Sequence, residues 1–209
     1  MKGLILKDLY MTKKYFRNYL FIMILFLGLS FASEENLFVV FYPGLLATMI
    51  PVNLLAYDER SHWDMYCGTL PVTRDMVVSA KYIMELMLLG LVYVLTGAVQ
   101  VVRMVVNQEF HWQSFLVLMS LLWMVYFFAG SITLPFMFKL GVEKGRMAYY
   151  VMIGVICGGS AISGMAFAEN LQSTIPFSAL LILGCVLAAA VFAGSWYLSI
   201  RFYRKRELH

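Results

Sequence analysis

Residues Tyr57–Tyr82 read YDERSHWDMYCGTLPVTRDMVVSAKY, the longest polar interruption in a chain that is otherwise almost continuously apolar. The stretch predicts a short helix over Asp58–Cys67, a turn at Gly68–Thr69, and a second helix that runs into the next apolar segment. Thr73 is a good N-cap residue, and Asp75 just behind it suits the positive end of a helix dipole. This charged hairpin is the obvious place for a soluble partner to bind.

The composition around the hairpin is that of a membrane protein. The chain has 209 residues, of which 62% are hydrophobic and only 13% are charged, whereas soluble domains carry about a quarter charged residues. No polar segment is long enough to bury a core of its own. We therefore expect an all-α integral membrane protein with a single transmembrane domain over residues 1–209.

Six apolar segments predict six transmembrane helices. They lie at about residues 19–32, 37–56, 83–102, 114–138, 147–168 and 177–200. The first is shorter than the roughly 20 residues that cross a bilayer, and Ser30–Ala32 resembles the cleavage site of a signal peptide. The long amphipathic segment before it favours a transmembrane helix.

Residues 1–18 predict a basic amphipathic helix that lies in the headgroup layer of the membrane. Lys2, Lys7, Lys13, Lys14 and Arg17 lie mostly on one half of the helical wheel, and apolar residues lie mostly on the other. Asp8 is an exception to this pattern. The alternative is a plain positive flank that only orients the first span.

The distribution of basic residues predicts the orientation. All of the 16 Lys and Arg residues except Arg103 lie in the N-terminal segment, the hairpin, the 139–146 loop or the C-terminal tail. The positive-inside rule then places both termini in the cytoplasm. The net charge of +4 therefore reflects topology and lipid contact, and we expect no binding of nucleic acid.

Glu85 is the one acid inside a predicted span, about one turn from its cytoplasmic end. An intramembrane acid is a candidate functional residue. Lys81 lies four residues earlier on the same helical face. We therefore expect Glu85 to form an interfacial ion pair with Lys81.

The predicted fifth span is rich in small residues. Close helix packing is expected at its glycines, which are Gly154, Gly158, Gly159 and Gly164. Glycines at such spacing let helix backbones approach closely. The sequence leaves open whether this face packs within the subunit or forms a dimer seam.

The sequence lacks the signatures of catalysis. It contains no G-x-x-x-x-G-K-[ST] phosphate loop and no H-E-x-x-H motif. Its three histidines are His62, His111 and His209, which are too scattered to predict a metal site. We expect no enzyme activity and no cofactor on this chain, and an external energy source that acts through the hairpin.

The layout resembles the membrane subunit of ABC transporters of the type-2 (ABC-2) permease family. The basic lead-in LILKDLYMTKKYFRNYL, the six spans and the hairpin between spans two and three carry the resemblance. The hairpin is similar to the DE…W…LPVTR…V.SKY string of small bacterial permeases. The chain is also similar to small permeases that export amphipathic peptides such as phenol-soluble modulins.

The resemblance implies a coupling helix in the hairpin that docks in a groove of a separate ATPase subunit, which would bind ATP and Mg²⁺. The implied docking and turn residues are Glu59, Arg60, Trp63, Asp64, Met65, Leu70, Pro71, Val72, Thr73 and Arg74. It also implies an interfacial elbow helix at the N-terminus, a second permease chain in a homo- or heterodimer, contact with membrane lipids, and the bacterial cytoplasmic membrane as location.

The expected cargo is an amphipathic peptide, an antimicrobial or a lipid-like molecule, which would move along an apolar and aromatic wall. Candidate wall residues are Phe41, Tyr42, Trp123, Phe127 and Phe128. Two other classes stay open. One is a membrane scaffold or sensor-associated protein that transports nothing, and the other is an ion-coupled carrier that uses Glu85.

Overall fold

The computed structural model of the chain describes residues 2–15, 17–32, 37–67, 69, 71–108, 112–142, 144–145, 147, 150–151, 154 and 177–205. All regular elements in this part of the chain are α-helices. They are α1 (Lys2–Tyr15), α2 (Arg17–Ala32), α3 (Leu37–Arg60), α4 (Trp63–Cys67), α5 (Arg74–Val106), α6 (Trp112–Leu140) and α7 (Phe177–Lys205).

Four of these helices, α3, α5, α6 and α7, are long and apolar enough to cross a membrane. The prediction of an all-α membrane-embedded protein is therefore confirmed for the described residues. Helix α2 is apolar but has only 16 residues, so the first predicted span is a shorter element than the others. The fifth predicted span, 147–168, falls almost entirely outside the described residues.

Helix α5 extends well beyond the predicted third span. It has 33 residues and is about 50 Å long at 1.5 Å per residue, whereas the hydrocarbon core is about 30 Å thick. Thr73 occupies the predicted N-cap position, with extended backbone angles and no side-chain capping bond. Its carbonyl accepts a hydrogen bond from Met76 N at 3.0 Å. Because the helix starts at Arg74 and the predicted span starts at residue 83, the first two turns of α5 lie outside the apolar span.

The long helices alternate in direction except at the C-terminal end of the chain. Asp58 near the end of α3 contacts Lys81 near the start of α5, so these helices are antiparallel. Helices α5 and α6 are antiparallel as well. By contrast, α6 and α7 are parallel, because successive contacts between them advance together along both helices. These contacts are Cys185 with Ser120, Ser195 with Ser131, and Lys139 with Phe202.

These directions bring the C-terminal ends of α3, α6 and α7 together with the N-terminal end of α5 and with α1 and α4. We call this the hairpin end of the bundle.

In the middle of the bundle, α3 and α6 are in close contact. Gly44 lies so near the ring of Tyr126 that a Cβ at this position would collide with it, and the Tyr126 hydroxyl donates to Val40 O at 3.4 Å.

The prediction of one helix over Asp58–Cys67 is wrong in its bounds, because the structure divides this segment between two helices. Asp58 and the two residues after it belong to the last turn of α3, and α4 begins only at Trp63. The chain bends at His62, whose φ of 50° is left-handed and cannot continue an α-helix. Asp58 stays in α3 because its carboxylate is held by lysines of two other helices.

Candidate functional site at the hairpin end

Four charged side chains form a cluster where α1, α3 and α5 meet. The ammonium group of Lys81 lies 2.9 Å from Asp8 Oδ1 and 2.7 Å from Asp58 Oδ2. Lys7 Nζ lies 2.7 Å from Asp58 Oδ1 and 3.4 Å from Asp8 Oδ1. We call these four residues the charge cluster. With two cations and two anions it is neutral, which is the arrangement in which buried charges are tolerated.

The charge cluster links three helices rigidly. Lys81, Asp8 and Asp58 are almost fully buried, and only Lys7 reaches partly into solvent. Removing one partner of a buried pair leaves an uncompensated charge and costs about 3–5 kcal/mol. The charge cluster therefore joins the end of α3 to α5 and α1 by buried ion pairs.

The predicted pair of Lys81 with Glu85 is wrong. Lys81 uses its ammonium group on Asp8 and Asp58, which come from other helices. Both carboxylate oxygens of Glu85 are buried without a hydrogen-bond partner among the described residues. Lys81 thus forms ion pairs with residues of other helices and not with Glu85, four residues later on its own helix.

Helix α4 has an inner and an outer side. Trp63 and Cys67 pack against the apolar cluster that includes Leu4 of α1 and Val77 of α5, and Lys7 Nζ lies 4.3 Å from the centre of the Trp63 ring. The outer side presents Met65 and Tyr66, each 59% exposed. Trp63, which the resemblance assigns to the docking face, is partly buried and packs against this cluster.

The other predicted docking residues are mostly accessible. Glu59, Arg60, Pro71, Thr73 and Arg74 are exposed, and Val72 is partly buried. The side chain of Asp64 and the whole of Leu70 lie outside the described residues. Most of the predicted docking residues are thus accessible to solvent in the segments on either side of α4.

Two bonds connect this surface to the ends of α6 and α7. Glu59 Oε2 accepts a hydrogen bond from Val142 N at 3.1 Å. Arg74 Nη1 donates to Arg204 O at 2.9 Å. Glu59 belongs to α3 and its partner Val142 directly follows α6, whereas Arg74 belongs to α5 and its partner Arg204 to α7. The two bonds therefore connect the ends of all four long helices at the hairpin.

An exposed ion pair lies beside these bonds, in the part of α5 that precedes its apolar span. Arg204 Nε donates to Asp75 Oδ1 at 2.7 Å, and Nη2 contacts Oδ2. The hydrogen bonds from the guanidinium hold the pKa of the Asp75 carboxyl below its ordinary value. Both side chains are accessible to water, so we expect the pair to contribute little to stability.

A buried hydroxyl network joins α5, α6 and α7 one turn below the hairpin. Ser195 Oγ donates to Ser131 O at 2.7 Å and therefore accepts the hydrogen bond from the Tyr82 hydroxyl at 2.8 Å. Ser199 then donates to Tyr82 at 2.7 Å. The Tyr82 ring stacks on Trp196 at 5.4 Å. No local sequence pattern predicts this network, because its members lie on three separate helices.

Glu85 lies next to Gly130 of α6. A Cβ at Gly130 would collide with the Glu85 carboxyl group, so the glycine makes room for the side chain. Among the other glycines singled out in the sequence, Gly154 is exposed. Gly158, Gly159 and Gly164 lie outside the described residues.

No group of three or more His, Cys, Asp or Glu side chains among the described residues is arranged to hold a metal ion. The acids of the charge cluster are already engaged by lysines. The hairpin end is held together by salt bridges and apolar packing.

The comparison with protein families gives one match. The model of a family described as "ABC-2 family transporter protein" matches residues 3–204. The comparison with curated proteins gives no match. The comparison with solved structures gives none either.

Proposed function

Because the chain belongs to the ABC-2 transporter family, we propose that it is the membrane-spanning permease subunit of an ATP-driven exporter. Members of this family are membrane components of ABC transporters and generally work with an ABC ATPase subunit. In this proposal ATP and Mg²⁺ bind to the partner ATPase, and this chain contributes no catalytic residue.

The observation that carries the proposal is the two-sided hairpin helix α4. Its outer side offers exposed Met65 and Tyr66, which are apolar groups at a polar end of the molecule. A helix that presents such groups to solvent is suited to insertion into a groove of a soluble protein. Its inner side is anchored by Trp63 and Cys67, so an ATPase that binds α4 engages a fixed element.

The charge cluster supports the proposed mechanism. When the ATPase subunits close on ATP, they displace α4 and the adjoining end of α3. Asp58 passes this displacement to Lys81 of α5, and Lys7 and Asp8 carry it to α1. The spans then tilt around a central pathway between two permease chains, either identical or different.

We also propose six membrane crossings with both termini in the cytoplasm of a bacterium. The parallel directions of α6 and α7 support the crossing at 147–168. Because α6 ends at the hairpin end and α7 begins at the opposite end, the chain between them must return along the bundle. Only a helix satisfies its backbone on such a path through lipid.

The N-terminal helix fits the proposed interfacial role. Leu6, Leu9 and Tyr10 of α1 are exposed, as are Lys13 and Lys14. Apolar and basic groups on an exposed helix face favour contact with the headgroup layer of an anionic membrane. The opposite face of α1 is fixed to α5 by the charge cluster, so α1 would link the hairpin to the lipid surface.

The proposed cargo is an amphipathic peptide, antimicrobial or lipid-like molecule, as in permeases of the phenol-soluble modulin type. The aromatic residues Trp123 and Phe127, expected on the wall of the pathway, line a cavity between α5 and α6. Phe128 is exposed on another face of α6. The aromatic character of the cavity favours an apolar or amphipathic ligand.

Co-purification with a candidate ABC ATPase in detergent tests the coupling surface. The double variant Met65→Ala/Tyr66→Ala removes exposed side chains and should abolish ATPase binding without unfolding the permease. The matched control is Met87→Ala/Tyr197→Ala, because these side chains are exposed to a similar degree but lie on the spans. Trp63 is unsuitable for the test, since its loss would disturb the packing of α4.

The result separates the classes of function. Binding of the ATPase by wild type and control but not by the hairpin variant supports the permease. If no ATPase binds, a membrane scaffold or sensor-associated protein becomes the better interpretation. An ion-coupled carrier is favoured by one observation, that Glu85 has no hydrogen-bond partner among the described residues. This interpretation requires activity that follows an ion gradient without the ATPase.

A further inference from the structure

A cavity of about 120 Å³ lies between α5 and α6 and is lined largely by aromatic rings. Tyr93, Trp123, Tyr126 and Phe127 contribute these rings. The Tyr93 and Tyr126 hydroxyls donate to backbone carbonyls. The cavity itself is therefore almost without polar groups. At its edge is Gly90, where an added Cβ would meet open space, so the cavity is reachable from that side.

The unpaired carboxyl group of Glu85 lies about one helical turn from this cavity. On α5, Glu85 precedes the cavity residue Leu89 by one turn, and on α6 its neighbour Gly130 follows Tyr126 by one turn. The residue is 1% exposed, and neither oxygen has a hydrogen-bond partner among the described residues. A charge buried in this way is unfavourable unless a proton or a cation compensates it.

Among the described residues, no Lys or Arg side chain lies within hydrogen-bond distance of Glu85. Lys81, one turn away on α5, is held by Asp8 and Asp58. Residues 147–176, which include the predicted fifth span, contain no Lys, Arg or His. The described part of the chain therefore leaves this carboxylate accessible to a cation from a ligand.

We propose that Glu85 and the aromatic cavity form a binding site for an ammonium group carried on an apolar stem. Aromatic ring faces attract cations, most strongly where water is excluded, and the carboxylate supplies the opposite charge. A cavity of this size admits a group slightly smaller than benzene, for which an engineered cavity of about 150 Å³ suffices. The apolar stem extends through the opening at Gly90.

This inference rests on the proposed permease function and specifies its cargo. The transported molecule carries an amine or a lysine side chain next to an apolar segment, as a cationic amphipathic peptide does. Glu85 selects the cation, and the rings of α5 and α6 hold the stem beside it. Neutral molecules of the same shape lose the attraction of the carboxylate.

Calorimetric titration of the purified permease in dodecyl maltoside, without any ATPase, tests the site. The probes are hexylammonium and its neutral counterpart hexan-1-ol. We expect hexylammonium to bind the wild type at least tenfold more tightly than hexan-1-ol. Equal affinity for the two probes, or binding of neither, overturns the proposal, and this comparison requires no variant.

Four variants locate the site. Glu85→Gln should remove the preference for hexylammonium while leaving hexan-1-ol unchanged, and Phe127→Leu should weaken the binding of hexylammonium severalfold. Asp75→Asn and Phe136→Leu are the matched controls, an exposed acid and an exposed aromatic residue of α6, and both should bind as wild type. A preference that survives Glu85→Gln, or that the control changes remove equally well, contradicts the assignment.

The two proposals fail in distinguishable ways. If the ammonium preference holds but no ATPase binds the hairpin, the cation site stands and the permease mechanism is wrong. If the ATPase binds through Met65 and Tyr66 but hexylammonium shows no preference, the permease stands and the cargo assignment is wrong.

Discussion

The ammonium group of Lys81 lies 2.7 Å from the carboxylate of Asp58, and both side chains are more than nine-tenths buried. This pair joins the end of one membrane helix to the start of the next, directly behind the hairpin. The same lysine reaches Asp8 on α1. The ends of these three helices therefore form one mechanical unit.

Lys81→Met should destabilise the permease by about 3–5 kcal/mol, because it leaves Asp8 and Asp58 with Lys7 as their only remaining cation in the cluster. Thermal unfolding in detergent measures the loss. Asp75→Asn, which breaks the exposed pair with Arg204, is the control and should change the unfolding temperature little. Equal effects of the two changes would show that the charge cluster is solvated.

Tyr82→Phe should cost about 1–3 kcal/mol, because it removes the hydrogen bonds to Ser195 and Ser199 inside the bundle. A double-mutant cycle with Ser195→Ala checks the network. The two changes should destabilise less together than the sum of the single effects, since they share one hydrogen bond. Strict additivity would mean that the two hydroxyls do not interact.

Gly44→Ala should destabilise the permease by about 1–3 kcal/mol, because the new methyl group collides with the buried ring of Tyr126 and forces α3 and α6 apart. Gly90→Ala is the matched control on α5, where the methyl group meets open space. It should be neutral or stabilising by up to about 1 kcal/mol, given the helix propensities of the two residues. Unfolding curves of the two variants should therefore shift in opposite directions or by clearly different amounts.

Glu85→Met should stabilise the ligand-free permease by about 1–3 kcal/mol, since it removes a buried acid that no hydrogen bond compensates. The melting temperature in neutral detergent measures the gain. Glu59→Met serves as the comparison and should not stabilise, because Glu59 accepts a hydrogen bond from Val142. A lower melting temperature for Glu85→Met would mean that the carboxyl has a stabilising partner.

Hydropathy and end signals in the sequence predict much of the fold. The long apolar segments give the positions of α3, α5, α6 and α7, and Thr73 marks the start of α5. The end of α3 is less predictable. This helix continues to Arg60, four residues past its apolar segment, where Asp58 pairs with lysines of α1 and α5.

The charge cluster was not predictable from local patterns. Asp8 breaks the basic pattern of the N-terminal helix, and its partner Lys81 is 73 residues away. The spacing of Lys81 and Glu85 favours a local pair instead. A single acid within a basic helix is the signal that was available, but only the arrangement of the three helices identifies its partner.

The composition of the hairpin can be read from the sequence, but the orientation of its side chains cannot. The sequence gathers apolar and charged residues in the hairpin without indicating which of them face inward. Trp63 turns in because its large ring fills the space between Lys7 and the core, and the smaller Met65 is left outside. Such a choice depends on the shape of the space beneath α4.

The link between Asp8 and Lys81 also bears on how the protein is made. Asp8 leaves the ribosome early, whereas Lys81 follows only after two further apolar helices, α2 and α3, have been synthesised. Until then Asp8 has only Lys7 of its own helix beside it, although Lys7 also pairs with Asp58 of α3. The charge cluster is thus complete only when α5 has been synthesised, so the pairing of Asp8 with Lys81 marks the assembly of α1, α3 and α5.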